Sequence, residues 1–401
     1  LWDGVRLRLH GPARLARLVP LARPAEDRVD VAWRIQRLAD ALGPLALRVE
    51  ILDTAGRVVA GGAAQNVAGE GVLPLPLDNA VRPWSPDHPT LYTLRADLVG
   101  ADGRVLDGFE HPWGLKRFAV DGPGFRLNGD PVTLRAGTVV WHRWVRDPEA
   151  RELAFDAGWF EEHVVRRLKE YGANTLRFHL GMPPEALLDL CDRHGLLVQA
   201  EWSFFHGIAA SHDSLVAQWH DWFDILMRHP SVAIIHPWNE SHGEEVEKAF
   251  AALDEVAAGY PPLVLAHRDV LHVHKYWWSL FENLGLYYDS ADQFDRPIMA
   301  DEFGGNYLDG NGDPGAYPTL RGAFLRFLGR GHTRDMRLTL QAEANSQVAE
   351  YWRRLGAAGF SPFCILGSPQ DGNHHFLGPL AGGRPKPVWR ALSAAYAPQA
   401  A

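Results

Sequence analysis

Two stretches of this 401-residue chain hold residue types whose spacing could do chemistry. In "VAIIHPWNES" (232–241) an apolar run of Val, Ala and Ile ends in Trp238, Asn239 and Glu240. Such a run reads as a strand buried on both faces, as in a parallel sheet covered by helices. In "RPIMADEFGG" (296–305) a second apolar run ends with Glu302. Ligands in α/β architectures sit at the carboxyl ends of strands, so a glutamate at each end is placed for chemistry or for a salt bridge. Two carboxylates about 5–5.5 Å apart are what retaining glycoside hydrolysis needs, one as nucleophile and one as acid and then base. A pocket holding both must keep one proton between them, because two close, partly desolvated carboxylates do not readily both ionise.

The elements that would position this pair follow a clear rhythm. Up to about residue 118 short β-like runs alternate with turn signals: "LALRVEIL", "DTAG", "RVVAGGAA", "TLYTLRADLVG". That spacing predicts an antiparallel sandwich. From "TLRAGTVVW" (133–141) onward, strand and helix alternate. "GWFEEHVVRRLKEYG" is a helix with Phe160, Val164, Leu168 and Tyr171 on one face. The strands "ANTLRFHLG", "LLVQAEWS", "VAIIH", "PLVLAHR", "DVLHVHKYWW", "PIMADEFGG" and "FSPFCILGS" complete a set of eight. The predicted class is α/β, a (β/α)8 TIM barrel preceded by an immunoglobulin-like β-sandwich. An open doubly wound sheet is disfavoured by the absence of a Gly-rich phosphate loop. The segment 304–337 is expected to be a long loop on the catalytic face with one helix in it. Strands four and seven lie across an eight-stranded ring, so Glu240 and Glu302 are expected to face each other over its mouth.

Composition narrows the partners. Forty basic and 49 acidic residues give a net charge of -9. These charges form no long like-charge runs, which argues against nucleic acid or an anionic membrane. Nothing is apolar and long enough to span a bilayer. Cys191 and Cys364 read as small buried hydrophobes. The 15 Trp, 10 Tyr and 18 Phe supply core and, in a sugar cleft, faces on which a pyranose can stack. The "HVH" of 272–274 invites a metal-dependent hydrolase, but it falls on strand six without a further ligand set, so no metal and no cofactor are expected. His206, His212, His220 and His229 read as polar surface or helix positions.

These motifs together resemble glycoside hydrolase family 2, the β-galactosidase, β-glucuronidase and β-mannosidase group. The resemblance runs over nearly the whole chain. It is carried by "RPWSPDHPTLYTL", "GLKRF", "FRLNGDPVTLRAG", "GANTLRFH", "LCDRHGLLV", "HPSVAIIHPWNES" and "PIMADEFGG". It implies a retaining exo-β-glycosidase acting on a terminal β-galactoside, β-glucuronide or β-mannoside, with Glu240 as acid/base and Glu302 as nucleophile. It further implies Asn239 on the sugar 2-hydroxyl, Tyr276 on the nucleophile, Arg177 keeping Glu302 ionised, His179 lining the sugar site and His142 as a looser match after strand one. Glu201 is expected either in the sugar site or paired with an arginine under the barrel mouth.

Three departures leave the sugar unassigned. The magnesium-binding members have a His two residues after the strand-three Glu, where this chain has Ser203. The strand-eight region reads "FCILGSPQDGNHH" without the usual Trp. Asn373, His374 and His375 match the uronate-binding pattern only loosely. The start "LWDGVRL" resembles the exit from a sugar-binding jelly-roll, so residues 1–20 are expected to be its remnant or a linker. Residues 21–120 are then the sandwich and 121–401 the barrel. With no initiating Met, the natural start is expected upstream, and a cytoplasmic location is favoured. A non-catalytic carbohydrate-binding protein that keeps the barrel is the competing function.

Overall fold

The computed structural model describes residues 7–39, 42–78, 80–276, 295–316, 318–369 and 372–397. Trp277 and Trp278, the end of the expected sixth strand, lie outside the described residues. So do the first six residues.

The N-terminal part is a two-sheet antiparallel sandwich. One sheet holds Ala13–Arg23, Arg28–Arg37 and Glu70–Pro76; the other orders Val58–Gln65, Ala46–Leu52, Tyr92–Val99 and Val105–Trp113. Alternation explains it. Leu47, Val49 and Ile51 on one strand, and Leu94, Ala96 and Leu98 on its neighbour, are fully buried in a core with Trp33 and Trp113. The "DTAG" turn closes because Asp53 Oδ1 accepts from Ala55 and Arg57 N–H while Gly56 takes φ +76°. The strand Ala13–Arg23 crosses residue 20, since its partner Arg28–Arg37 follows at once and pairs with it along its length. The sheet therefore begins inside the segment expected as a remnant. Contacts divide the chain into two compact units, with a first break between Arg117 and Phe118. The first unit also takes in Ala210–Val232 and Glu247–Pro262.

The second unit is built on eight parallel strands: Leu134–Val140, Thr175–His179, Leu197–Glu201, Val232–His236, Val264–Leu265, Leu271–His274, Ile298–Gly304 and Gly359–Phe363. Their order in the sheet is five, four, three, two, one, eight, seven, six, and a bridge between Ala266 and Val270 links the flanks of strands five and six. This is a (β/α)8 barrel. Strands two, three, four and seven are buried throughout, as the apolar runs predict. Alternation sorts the second strand: Phe178 stacks on Phe160 of the preceding helix at 5.9 Å, while Arg177 and His179 point the other way. Phe178→Ala is expected to lower the thermal midpoint by about 10 °C, because a fully buried Phe truncated to Ala costs roughly 3–5 kcal/mol. A calorimetric shift under about 2 °C would remove Phe178 from the core that fixes strand two.

Two local expectations change. Trp141–Trp144 is a helical turn, so strand one stops at Val140. The segment expected as a loop up to residue 337 carries a helix at Pro318–Leu328, and a second helix, Arg334–Leu355, starts before it ends. Thr333 caps that second helix by accepting from Met336 N–H, and Gly356 ends it in the left-handed region. Its buried face carries Arg337, Gln341 and Asn345, spaced by four, beside Leu338, Ala342, Val348, Ala349 and Trp352, so polar side chains interrupt the apolar period. Those side chains hold the loop after strand seven. Gln341 Nε2 donates to Asn306 O (2.7 Å), and Arg337 donates to Gly312 O (2.8 Å) and Asp313 (2.6 Å). Among the described residues no helix is long and apolar enough to cross a membrane.

Candidate active site

The carboxyl ends of strands two, three, four, six and seven bring one arginine, one tyrosine, several histidines and four carboxylates together. Arg177, fully buried, is the hub. It donates to Glu201 Oε2 from Nη2 (2.7 Å) and Nε (3.1 Å), to Glu302 Oε1 from Nη1 (3.0 Å), and to Asn239 Oδ1 from Nη2 (3.2 Å). Burial alone would favour a neutral guanidine, but Glu201, Asp301 and Glu302 outweigh it and keep the charge in place.

Glu302 sits within strand seven and is almost entirely buried. Its Oε1 accepts from Arg177, and its Oε2 accepts a short hydrogen bond from the Tyr276 hydroxyl. Burial and the Glu302 charge push the Tyr276 phenol well above its ordinary value, so Tyr276 stays a donor. Asp301 is also inward, although consecutive strand residues ordinarily face opposite sides. The register explains this. Ala300 pairs Phe360 and Phe303 pairs Pro362, so an extra residue bulges there. Asp301 accepts from His272 Nδ1 (2.6 Å) and Gln199 Nε2 (3.0 Å). Burial would raise its pKa, but His272 and Arg177 outweigh that and hold it well below the usual carboxylate range.

Glu240 lies four residues beyond the end of strand four, with φ +42°. A non-glycine residue in the left-handed region costs roughly 1–2 kcal/mol, and such strain concentrates at functional sites. The turn is fixed by Asn239 N–H donating to Phe204 O (2.9 Å). Where Glu302 retains 4% of its side-chain surface exposed, Glu240 retains 34%. Nearest oxygens of the two lie within 4.8 Å of each other. Between them stands His274. Its Nδ1 is 2.6 Å from Glu240 Oε1 and 3.5 Å from Glu302 Oε2, and its Nε2 is 3.3 Å from Asp301 Oδ1. The hydrogen bond from His274 lowers the pKa of Glu240. Burial would neutralise His274, but Glu302, Asp301 and Glu240 outweigh it and raise its pKa well above the ordinary histidine value.

The remaining expected residues fall in three groups. His179 lies in the site with Nε2 3.8 Å from Glu302 Oε1, and burial and Arg177 keep it neutral. His142 is half-buried on the turn after strand one and held neutral, with its pKa lowered by burial to about 4. Glu201, carried as a substrate contact or an arginine partner, is the latter. It has no exposed side-chain surface, accepts from Arg177 and from Leu180 N–H (3.2 Å), and its Oε1 lies 2.9 Å from His179 Nδ1. Sequence reasoning passed over His274, Asp301 and His206, whose Nε2 is 3.8 Å from Glu240 Oε2. The period-two spacing of His272 and His274 was the available signal, since it puts both on the inward face of strand six. Phe363 at the end of strand eight stands edge-on to His179 (5.3 Å) and near Tyr276 and Tyr307 (both 6.3 Å).

Within this site two sets of atoms come close enough to suggest an ion: Glu240, His274 and Glu302, and His236, His272 and Asp301. In each set the closest pair is 2.6 Å apart. Two ligands of one zinc or magnesium ion, each at about 2.0–2.1 Å, stand about 3 Å or more apart. The spacing fits shared protons and not a metal. Glu201, the strand-three carboxylate that would anchor a magnesium ion by analogy, has its oxygens occupied by Arg177, His179 and Leu180.

The sequence signature described as Glycosyl hydrolases family 2 matches residues 19–116. A β-galactosidase of Bacteroides ovatus is 32% identical over 166 residues, 39% of this chain and 19% of its own length. A β-glucuronidase of Felis catus is 32% identical over 156 residues, 38% of this chain and 22% of its own length. The chain thus spans about a fifth of the length of these relatives. The structure of a β-D-glucuronidase of Dictyoglomus thermophilum superposes with a TM-score of 0.69 at 16% identity, covering 96% of this chain and 68% of that one, which shows a shared fold.

Proposed function

We propose that the chain is a member of glycosyl hydrolase family 2 whose barrel hydrolyses a terminal β-linked sugar with retention of configuration, through a covalent glycosyl-enzyme intermediate. The observation that carries this reading is the unequal treatment of two close carboxylates. Glu302 is buried, hydrogen-bonded by Arg177 and oriented by Tyr276, as a nucleophile must be. Glu240 is open to the cleft and linked to a proton source, as an acid must be. In the first step Glu302 attacks the anomeric carbon while the glycosidic oxygen takes a proton from Glu240. In the second, Glu240 takes a proton from water as that water displaces Glu302.

Other side chains serve binding. Arg177 holds Asn239 by its amide oxygen, which leaves the amide N–H groups for a sugar hydroxyl. His179 and His142, both neutral, line the sugar subsite in this reading, and Phe363 offers an aromatic wall. The catalytic domain in this proposal is the barrel from about residue 121, preceded by the sandwich.

Relatives named β-galactosidase and β-glucuronidase make galactosides and glucuronides the first substrates to try, with mannosides next. A panel of aryl β-glycosides, followed by NMR of the sugar anomer released first, tests sugar and stereochemistry together. The expected result is one terminal sugar released as the β-anomer. Release of the α-anomer would make the enzyme inverting and remove the covalent intermediate. Cleavage confined to the interior of polymers would end the exo assignment.

A further inference from the structure

We propose that His274 stores the proton that Glu240 delivers, so that the acid of this site is the His274–Glu240 pair and not Glu240 alone. The inference rests on the glycosidase reading above and adds a residue to it. His274 is a positioning residue here, acting through Glu240.

Counting donors gives the argument. The imidazole has Glu240 Oε1 at 2.6 Å from Nδ1 and Asp301 Oδ1 at 3.3 Å from Nε2. Carboxylate oxygens only accept, and a neutral imidazole has one N–H, so one contact would set lone pair against lone pair. An imidazolium donates to Glu240 and turns its second N–H, with its positive charge, toward Asp301 Oδ1.

The surroundings supply the reason for that charge. Facing His274 are Glu240 after strand four, Asp301 and Glu302 on strand seven and His179 on strand two; behind these stand Arg177 on strand two against Glu302, Glu201 on strand three against His179, and His206 on the loop after it against Glu240. Lys275, Tyr276 and His272 are its neighbours on strand six. Four of these are carboxylates. Arg177 is bonded to Glu201 and Glu302 and lies 3.9 Å from Asp301, so Glu240 is the carboxylate it does not reach. His274 is the cation that does. Asp301 holds the ring from behind and is held in turn by His272 and Gln199.

The step balances simply. The His274 Nδ1–H bond breaks as an O–H bond forms at Glu240 Oε1, leaving neutral imidazole and neutral carboxylic acid. Rotation about Cγ–Cδ of Glu240 carries that O–H to the glycosidic oxygen, which takes the proton as its bond to the anomeric carbon breaks. In the second step the proton Glu240 removes from water returns to Nδ1.

The test is the pH profile of kcat/KM for substrates with poor leaving groups. The pair loses its proton above the ordinary histidine range, so the basic limb of the wild-type profile lies there. His274→Asn cannot store a proton, so Glu240 must hold its own, and the basic limb is expected to move down by about one pH unit or more. With good leaving groups, whose departure needs no acid, that limb of kcat/KM stays in place. A purely structural role would lower the rate at every pH and leave the limb where it was, which would overturn the proposal. A second measurement is independent of turnover. In the full chain labelled with 15N-histidine, the ring assigned by its loss in His274→Asn is expected to carry protons on both nitrogens at pH 7. Glu240→Gln is expected to lower the pH at which it loses one. A ring neutral at pH 6 would sink the shared proton even in a protein that cleaves no tested glycoside, whereas a doubly protonated ring in such a protein would leave the proton in place and fault the glycosidase reading.

Discussion

Glu302→Ala is expected to lower kcat on every β-glycoside by at least about 10^4-fold, more than about 5 kcal/mol of transition-state stabilisation, with the fold intact. The size follows from the role. Without a nucleophile no glycosyl-enzyme forms, and water would have to attack from a position the protein has not built. The truncation also opens a space bordered by Arg177 Nη1 and the Tyr276 hydroxyl, a cationic donor and a neutral one facing a missing anion. Azide fits that space in charge and size. With an activated aryl glycoside it is expected to restore turnover and give the α-glycosyl azide, inverted relative to substrate. Residual activity within about tenfold of wild type would place the nucleophile elsewhere. A β-azide product would mean that another protein group still forms the covalent intermediate.

The parts of this site that could be read from sequence obey simple periodicities. Arg177 and His179 are two apart on a strand and both point inward. The apolar runs before Glu240 and Glu302 mark strands buried on both faces. The sandwich declared itself by alternation, as Leu47, Val49 and Ile51 show. What escaped depends on departures from those periods. Asp301 reaches the interior through a bulge that no alternation rule anticipates. His274 could be seen as inward, but only the register beside Glu302 shows that it lies between two carboxylates. The apolar stripe of the helix Arg334–Leu355 is broken by Arg337, Gln341 and Asn345, which share its buried face with Leu338, Ala342, Val348 and Trp352. Polar side chains on such a face are retained when loop carbonyls need donors, as those of Asn306 and Gly312 do here.

Glu201 shows a different limit. From sequence, a strand-end glutamate is equally a ligand to sugar or a partner to arginine, and only burial separates the two. With no exposed surface and a full set of donors, it maintains Arg177 in the orientation that lets it donate to Glu302. Removing one partner of a buried pair leaves an uncompensated charge, so its loss would act on stability and on Glu302 together. It is accordingly no alternative acid for the reaction.

That exclusion sharpens the test of Glu240. Glu240→Ala is expected to cost about 10^2- to 10^4-fold in kcat/KM for alkyl and other poor leaving groups, the usual worth of general acid catalysis. For dinitrophenyl glycosides the same constant is expected to stay within about tenfold of wild type, because such a leaving group departs without a proton. Their kcat falls nonetheless, since the second step now lacks its base and the glycosyl-enzyme accumulates. A burst of phenolate followed by slow turnover is the kinetic sign of this. Azide, which needs no base, is expected to raise kcat and yield the β-glycosyl azide, the opposite anomer to that from Glu302→Ala. The two variants thus read the two carboxylates through the stereochemistry of one product. If Glu240→Ala cleaved good and poor leaving groups with equal and undiminished efficiency, neither Glu240 nor the His274 beside it could be the proton source. No other described carboxylate in the site combines exposure to the cleft with closeness to Glu302, since Glu201 and Asp301 are fully buried.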